Sequence, residues 1–244
     1  MITPRVAGSS PPADRQHSRR PLLWAFAGAF VVCSVLDLIA EAAGWNTPAD
    51  VFRTLALPLL IAALFAARPP ITRTIVLVVG GLLFSWLGDT LGQTGFVIKI
   101  LLFLVAQWLF IAAFWSYRGT SLLRKPVAVL GYGVPFVVVM AILVRPAGSL
   151  AAPVVLYGVS LVTMAMLASG LNRWGMIGGL SFVVSDTLLG IKRFYDLPAP
   201  NLMDFLIMLS YLLAEVLLVW GAIAAARSAE PNRDRTGTAG SAAD

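Results

Sequence analysis

Cysteine and histidine are all but missing from this chain. Of 244 residues, one is cysteine (Cys33) and one is histidine (His17). A lone cysteine excludes a disulfide framework within the chain. His17 falls in a polar N-terminal stretch, which excludes a buried His/Cys metal centre and any intramembrane triad built on histidine. No metal and no cofactor is expected. Charge is scarce too: Asp, Glu, Lys and Arg make up 12% of the chain, against roughly a quarter in a soluble domain. Apolar side chains fill the difference, at 59% of residues, a composition suited to a bilayer rather than to a soluble core. The net charge of +6 does not point to nucleic acid, because the basic residues sit in tails and short loops instead of on one folded face.

Eight apolar spans are legible, each near the ~20 residues that cross a ~30 Å hydrocarbon core. They run Pro21–Glu41, Val51–Ala67, Ile71–Leu91, Phe96–Tyr117, Pro126–Val144, Ala151–Ser169, Trp174–Phe194 and Leu202–Ala226. Turn-forming strings such as Pro69-Pro70, Gly92 to Gly95 and Arg145-Pro146 separate them. Helix is the only open-chain structure that satisfies its own backbone in lipid. The expected fold is therefore all-α, a polytopic bundle of eight transmembrane helices over 21–226. Residues 1–20 and 227–244 are polar and predict disordered tails.

Placing both tails and the even-numbered loops on one side puts 13 basic residues there and 5 on the other. By the positive-inside rule both termini are expected in the cytoplasm of a bacterial-type plasma membrane. A rival pattern exists. Ser18-Arg19-Arg20 ahead of the first apolar run, with Ala40-Glu41-Ala42 after it, resembles a twin-arginine export signal. Its cleavage would leave seven helices, but the run is long enough to span and contains Asp37.

Two aspartates stand inside these spans in nearly the same words: LLFSWLGDTLG carries Asp89 and LSFVVSDTLLG carries Asp186. A carboxylate in hydrocarbon costs of order ~3 kcal/mol unless it is paired, neutral or facing water. The two are 97 positions apart, and at that offset Gly81 meets Gly178 and Thr90 meets Thr187. The next helices also correspond, Phe103 to Gln107 with Tyr211 to Glu215, at an offset of 108. This predicts two parallel four-helix repeats, about 21–117 and 126–226, related by a pseudo-two-fold along the membrane normal. The symmetry would set Asp89 and Asp186 at one depth near the axis.

Other polar residues gather around the pair. Ser85 is one helical turn before Asp89, and Tyr211 one turn before Glu215. Ser185 precedes Asp186, Gln107 lies mid-span, and Lys192 and Arg193 follow Asp186 by about two turns. Each has a plainer reading: Lys192 and Arg193 snorkel to the interface, Ser85 bonds its own helix, Gln107 joins helices, and Asp37 and Glu41 sit among headgroups. Two carboxyls in one dry site cannot both ionise cheaply, so one keeps its proton beside a carboxylate. Glycosidases use that division of labour on acetals, and it suits substrates that pass through an oxocarbenium ion.

At these residues the chain resembles the YhhN-like family of membrane proteins, whose animal members are lysoplasmalogenases. The resemblance rests on Phe84-Ser85-Trp86-Leu87-Gly88-Asp89, and on Phe182-Val183-Val184-Ser185-Asp186 followed by Leu189 and by Lys192-Arg193-Phe194. Pro153 to Tyr157 with Met164-Ala165-Met166 is similar to the family's sixth helix. Where the family often has His and Gln, this chain has Gln107 and Glu215. The resemblance implies hydrolysis of the vinyl ether of a lysoplasmalogen to a fatty aldehyde and a glycerophospho-alcohol. Asp89 and Asp186 would be catalytic, with Ser85, Ser185, Gln107, Tyr211 and Glu215 as polar support and Lys192 or Arg193 holding the phosphate. The partners it implies are a lysophospholipid and the bilayer. Two other classes fit the residues: a proton-coupled transporter using the carboxylates as a relay, and a non-catalytic lipid-binding protein.

Overall fold

The computed structural model describes residues 20–196 and 198–239. Most of the expected N-terminal tail, and residues 240–244 of the C-terminal one, lie outside the described residues. Within them the chain is helical without a strand. The α-helices are α1 (Arg20–Ala43), α2 (Asn46–Ala66), α3 (Arg73–Thr90), α4 (Phe96–Phe114), α5 (Pro126–Ala147), α6 (Ala151–Ala168), α7 (Arg173–Phe194) and α8 (Pro200–Ala239). Seven stretches among the described residues are long and apolar enough to cross a membrane, the pattern of a multi-pass integral membrane protein. One of the seven, Pro126–Ala168, is a hairpin: α5 and α6 fold back at Gly148, so that Gly158 of α6 sits against Phe136 and Met140 of α5.

Helix ends differ from the sequence expectation in two instructive places. Arg145-Pro146 does not stop α5, because a proline in the last turn removes only one hydrogen bond. The stop is Gly148, at φ +54, where a side chain would be strained. At the other end of the chain, the segment from residue 227 was expected to be a disordered tail, yet α8 continues to Ala239. Extending an existing helix through Ala224-Ala225-Ala226-Arg227 costs little once it is nucleated. Arg227 also donates to the Ala67 carbonyl at 2.8 Å.

Two of the prolines inside helices are answered by side chains from neighbours. Pro58 of α2 has no N–H, which frees the carbonyl of Thr54 one turn earlier. The indole Nε1 of Trp86 on α3 donates to that carbonyl at 2.9 Å. Pro146 likewise frees the Ile142 carbonyl, and the Tyr195 hydroxyl donates to it at 2.9 Å. These bonds tie α3 to α2 and the end of α7 to α5.

The core is a large cluster to which every helix but α5 contributes, with Phe110, Phe114, Phe182, Met164 and Leu218 fully buried, and a small second cluster of Ile100, Leu143, Ala147 and Val154. Glycines set the closest approaches. A Cβ on Gly81 would lie 2.6 Å from the Phe110 ring, and one on Gly178 would lie 2.9 Å from the Leu218 backbone nitrogen. Close backbone contact is how helices associate when lipid removes the hydrophobic drive between them. Helix α5 stands apart, burying only Leu143 and Ala147 and leaving Val127, Leu130 and Val137 outward.

Candidate functional site

Helices α3 and α7 each deliver one aspartate, and each aspartate meets a tyrosine. Asp89, in the last turn of α3, is buried and accepts a 2.7 Å hydrogen bond from the Tyr211 hydroxyl of α8. Asp186, in the middle of α7, accepts from the Tyr157 hydroxyl of α6. The Tyr211 ring is held edge-on by Phe103, at 5.9 Å between centroids, and by Phe182, at 5.8 Å. Asp89 and Asp186 are close enough for their charges to act on each other, and Lys99 of α4 acts on both.

The environments of the two carboxyls are unlike. Asp186, Tyr157 and Lys99 line a cavity of about 490 Å³ between α4, α5, α6 and α7, whose other walls are nearly all apolar. Pockets of this size hold small or single-chain ligands. Asp89 does not line it; its carboxyl is closed off under Tyr211. The cavity has a direction. Phe96 packs edge-on against Phe194 at 5.9 Å, marking the end where α4 begins and α7 finishes. Leu180, Val183 and Tyr132 line the opposite end. Leu180 and Val184 are also outwardly exposed on α7, so the cavity opens sideways between α5 and α7, toward the lipid-facing surface.

A family model described as the YhhN family matches residues 49–222, well over half of the chain. The chain belongs to the YhhN family. Neither a curated protein nor a solved structure matches it. The matched stretch runs from α2 into α8 and takes in both aspartates, both tyrosines and Lys99.

The remaining residues anticipated for the site divide into three groups. Ser85, Gln107 and Glu215 are wholly buried beside it, Glu215 facing Ser85 and Tyr211, and Gln107 facing Tyr157. None of their side-chain oxygens or nitrogens makes a hydrogen bond of good geometry. Unpartnered buried polar groups cost about 1–3 kcal/mol each, a cost characteristic of working sites. Ser185 points away, donating to the Ile207 carbonyl of α8 at 3.0 Å, and so joins helices. Lys192 is ion-paired with Asp204, and Arg193 lies over the Phe96 ring at 4.8 Å; neither lines the cavity.

Sequence reading passed over Tyr157 and Lys99 as site residues and placed Asp37 and Glu41 among headgroups. Both acids are in fact buried. Glu41 pairs with Arg53 of α2, which also reaches Asp50 at 3.3 Å. Asp37 is fully enclosed with neither oxygen hydrogen-bonded. The Arg53 charge acts on Asp89, so this cluster continues the polar interior of the site. Its signal in the sequence was Arg53 itself, a cation at the start of an apolar span. Among the described residues no group of three His, Cys, Asp or Glu side chains is placed to hold a metal ion.

Proposed function

We propose that this protein is a membrane-embedded hydrolase that cleaves the vinyl ether of a lysoplasmalogen-like lysophospholipid. The observation that carries the reading is Asp186 with Tyr157 on the wall of an otherwise apolar, side-opening cavity, in a chain of the YhhN family. Hydrolysis of an enol ether begins with proton transfer to carbon. Asp186, as the acid, gives its proton to the outer vinyl carbon, leaving an oxocarbenium ion on the carbon bonded to oxygen. Tyr157 keeps one carboxyl oxygen occupied as acceptor, which leaves the other for the proton. Water adds to the cation, the hemiacetal collapses, and a fatty aldehyde and a free glycerophospho-alcohol leave. Asp186, now a carboxylate, takes back the proton released by the water. Asp89 contributes negative charge near the developing cation.

The same reading has eight membrane crossings with both termini cytoplasmic and two parallel repeats, 21–117 and 126–226. Equivalent contacts support the repeat. Gly81 packs on Phe110 as Gly178 packs on Leu218, at the offsets of 97 and 108. Phe103 and Tyr211, counterparts of each other, touch, as residues beside a pseudo-axis would.

The test is aldehyde release by purified protein over a panel of vinyl ether, alkyl ether and ester lysolipids. Turnover of the vinyl ether, and a loss of at least ~100-fold in Asp186→Asn or Asp89→Asn, is expected from removal of the acid in one case and of the charge that stabilises the cation in the other. Full activity in either variant, or turnover of the ester alone, sinks the proposal. A proton-coupled transporter is the second reading, favoured by the buried, unpartnered carboxyls of Asp37 and Glu215. It predicts proton-dependent uptake into proteoliposomes and no aldehyde.

A further inference from the structure

The cavity holds one cation, and that cation has no acid bound to it. Lys99 stands in the first turn of α4 and lines the cavity with Asp186 and Tyr157. The ion pairs among the described residues engage Arg53 and Lys192, and none engages Lys99. Arg193, the other cation at this end, is spread over the Phe96 ring. A strongly hydrated ammonium set into a wall of Phe96, Ile100 and Phe103 has the charges of Asp89 and Asp186 nearby but no acid in contact with it to offset its desolvation.

Its placement is built. Gly92, three residues beyond Asp89, lies directly under the lysine stem: a Cβ there would be 2.8 Å from the Lys99 Cβ. Only a residue without a side chain lets the stem rest on this turn. The first turn of α4 adds the positive end of a helix to the ammonium. Lys99 also sits toward the Phe96–Phe194 end of the cavity, while Leu180, Val183 and Tyr132 form the apolar end.

We propose that Lys99 binds the single anionic group of an amphiphile, the phosphate of the lysolipid headgroup, while the hydrocarbon chain occupies the apolar end. This rests on the hydrolase reading for the identity of the reacting bond, but the anion site stands on its own geometry. The phosphate lies toward the Phe96–Phe194 end, the chain toward Leu180, and the bond to be cleaved falls between them, beside Asp186. Lys192 and Arg193, held by Asp204 and Phe96, take no part in holding the phosphate.

The test compares full-length wild type with Lys99→Met and Lys99→Arg. The substrates are a 1-alkenyl-glycerophosphoethanolamine and the same 1-alkenyl glycerol without phosphate. Charge-assisted contacts of this kind are worth about 10- to 100-fold. Lys99→Met is expected to raise KM for the phosphate-bearing substrate by about that factor, at least ten-fold more than for the neutral one, with Lys99→Arg retaining most affinity. A loss in kcat that is equal for the two substrates overturns the proposal and makes Lys99 a counter-ion of the aspartates.

A second arm needs no turnover. Binding of non-hydrolysable 1-O-alkyl-glycerophosphate and 1-O-alkylglycerol is measured by intrinsic fluorescence, with inorganic phosphate as competitor. Preference for the alkyl phosphate that Lys99→Met abolishes supports the anion site even if no vinyl ether is cleaved. Equal binding of both lipids by wild type overturns it. Displacement by inorganic phosphate as effective as by the alkyl phosphate assigns the site to free phosphate and overturns the headgroup assignment. Should Lys99→Met not fold, Gly92→Ala, which displaces the lysine stem, is expected to give the same selective loss.

Discussion

The Tyr211 hydroxyl donates to Asp89 across 122 positions of sequence. That bond joins the last turn of α3 to the first third of α8 and fixes one carboxyl oxygen of a buried acid. Tyr211→Phe removes the donor and keeps the ring, with its edge contacts to Phe103 and Phe182. Asp89 is then left buried with one bond fewer. The expected stability loss is about 1–3 kcal/mol, the range for a buried hydrogen bond to a chargeable group. The expected fall in aldehyde release is about ten-fold, smaller than for loss of either acid. Thermal unfolding in detergent and a turnover assay read the two effects separately. A variant of wild-type stability would mean that the bond contributes nothing.

Arg53 poses the opposite situation, a cation whose removal strands acids. Glu41 has 7% of its side chain exposed and Asp50 has 43%, so the Glu41 pair dominates, while the exposed one is largely screened. Breaking a buried pair from one side costs about 3–5 kcal/mol. Arg53→Met is expected to destabilise by about that much, and adding Glu41→Gln should recover a large part by removing the stranded charge. If the double variant is as unstable as the single one, Arg53 acts by packing and not through its charge.

Gly81 and Gly178 are expected to differ in tolerance. At Gly178 a new Cβ meets backbone, the Leu218 nitrogen at 2.9 Å, with the Ala214 carbonyl oxygen at 3.1 Å. At Gly81 it meets the edge of the Phe110 ring. A ring can tilt within a core, whereas backbone moves only if the whole helix moves. Gly178→Ala is therefore expected to lower the melting temperature more than Gly81→Ala, because separating α7 from α8 also shifts Asp186 relative to Tyr157. Equal effects would argue that the Phe110 ring is as fixed as the backbone.

Helix positions and the two aspartates were legible because their signals are local. Twenty apolar residues are helical in lipid whatever surrounds them, and an acid in such a run stands out. The placement of Tyr157 and Lys99 beside Asp186 was not legible, because a tyrosine or a lysine near a span end reads as an interfacial anchor. Only the cavity between α4 and α7 separates the two meanings. Arg53, Asp37 and Glu41 were ambiguous for the same reason: burial of a charge at a helix end depends on whether α1, α2 and the start of α8 close over it. Gly44 against Asn201 shows that they do, since a Cβ there would lie 2.8 Å from the Asn201 amide nitrogen. The resemblance that pointed Lys192 and Arg193 at a phosphate carried no information on Asp204, which neutralises the first.

Pro58 and Trp86 offer a test of how the scaffold is held together, independent of the chemistry. In the native chain Pro58 frees the Thr54 carbonyl, and Trp86 answers it at 2.9 Å. Trp86→Phe keeps a large ring but removes the donor, so the carbonyl loses its partner. A loss of about 1–2 kcal/mol is expected. Pro58→Ala restores an N–H one turn along α2, which then bonds the Thr54 carbonyl as in any regular helix. Once that bond exists, the indole donor is redundant, and Trp86→Phe introduced into the Pro58→Ala background should cost less than in the native chain. The coupling between the two sites, read from a double-mutant cycle in unfolding free energy, is expected to be of order ~1 kcal/mol. A coupling of zero would show that the indole packs at this carbonyl without stabilising it, and that α2 and α3 are joined by shape alone.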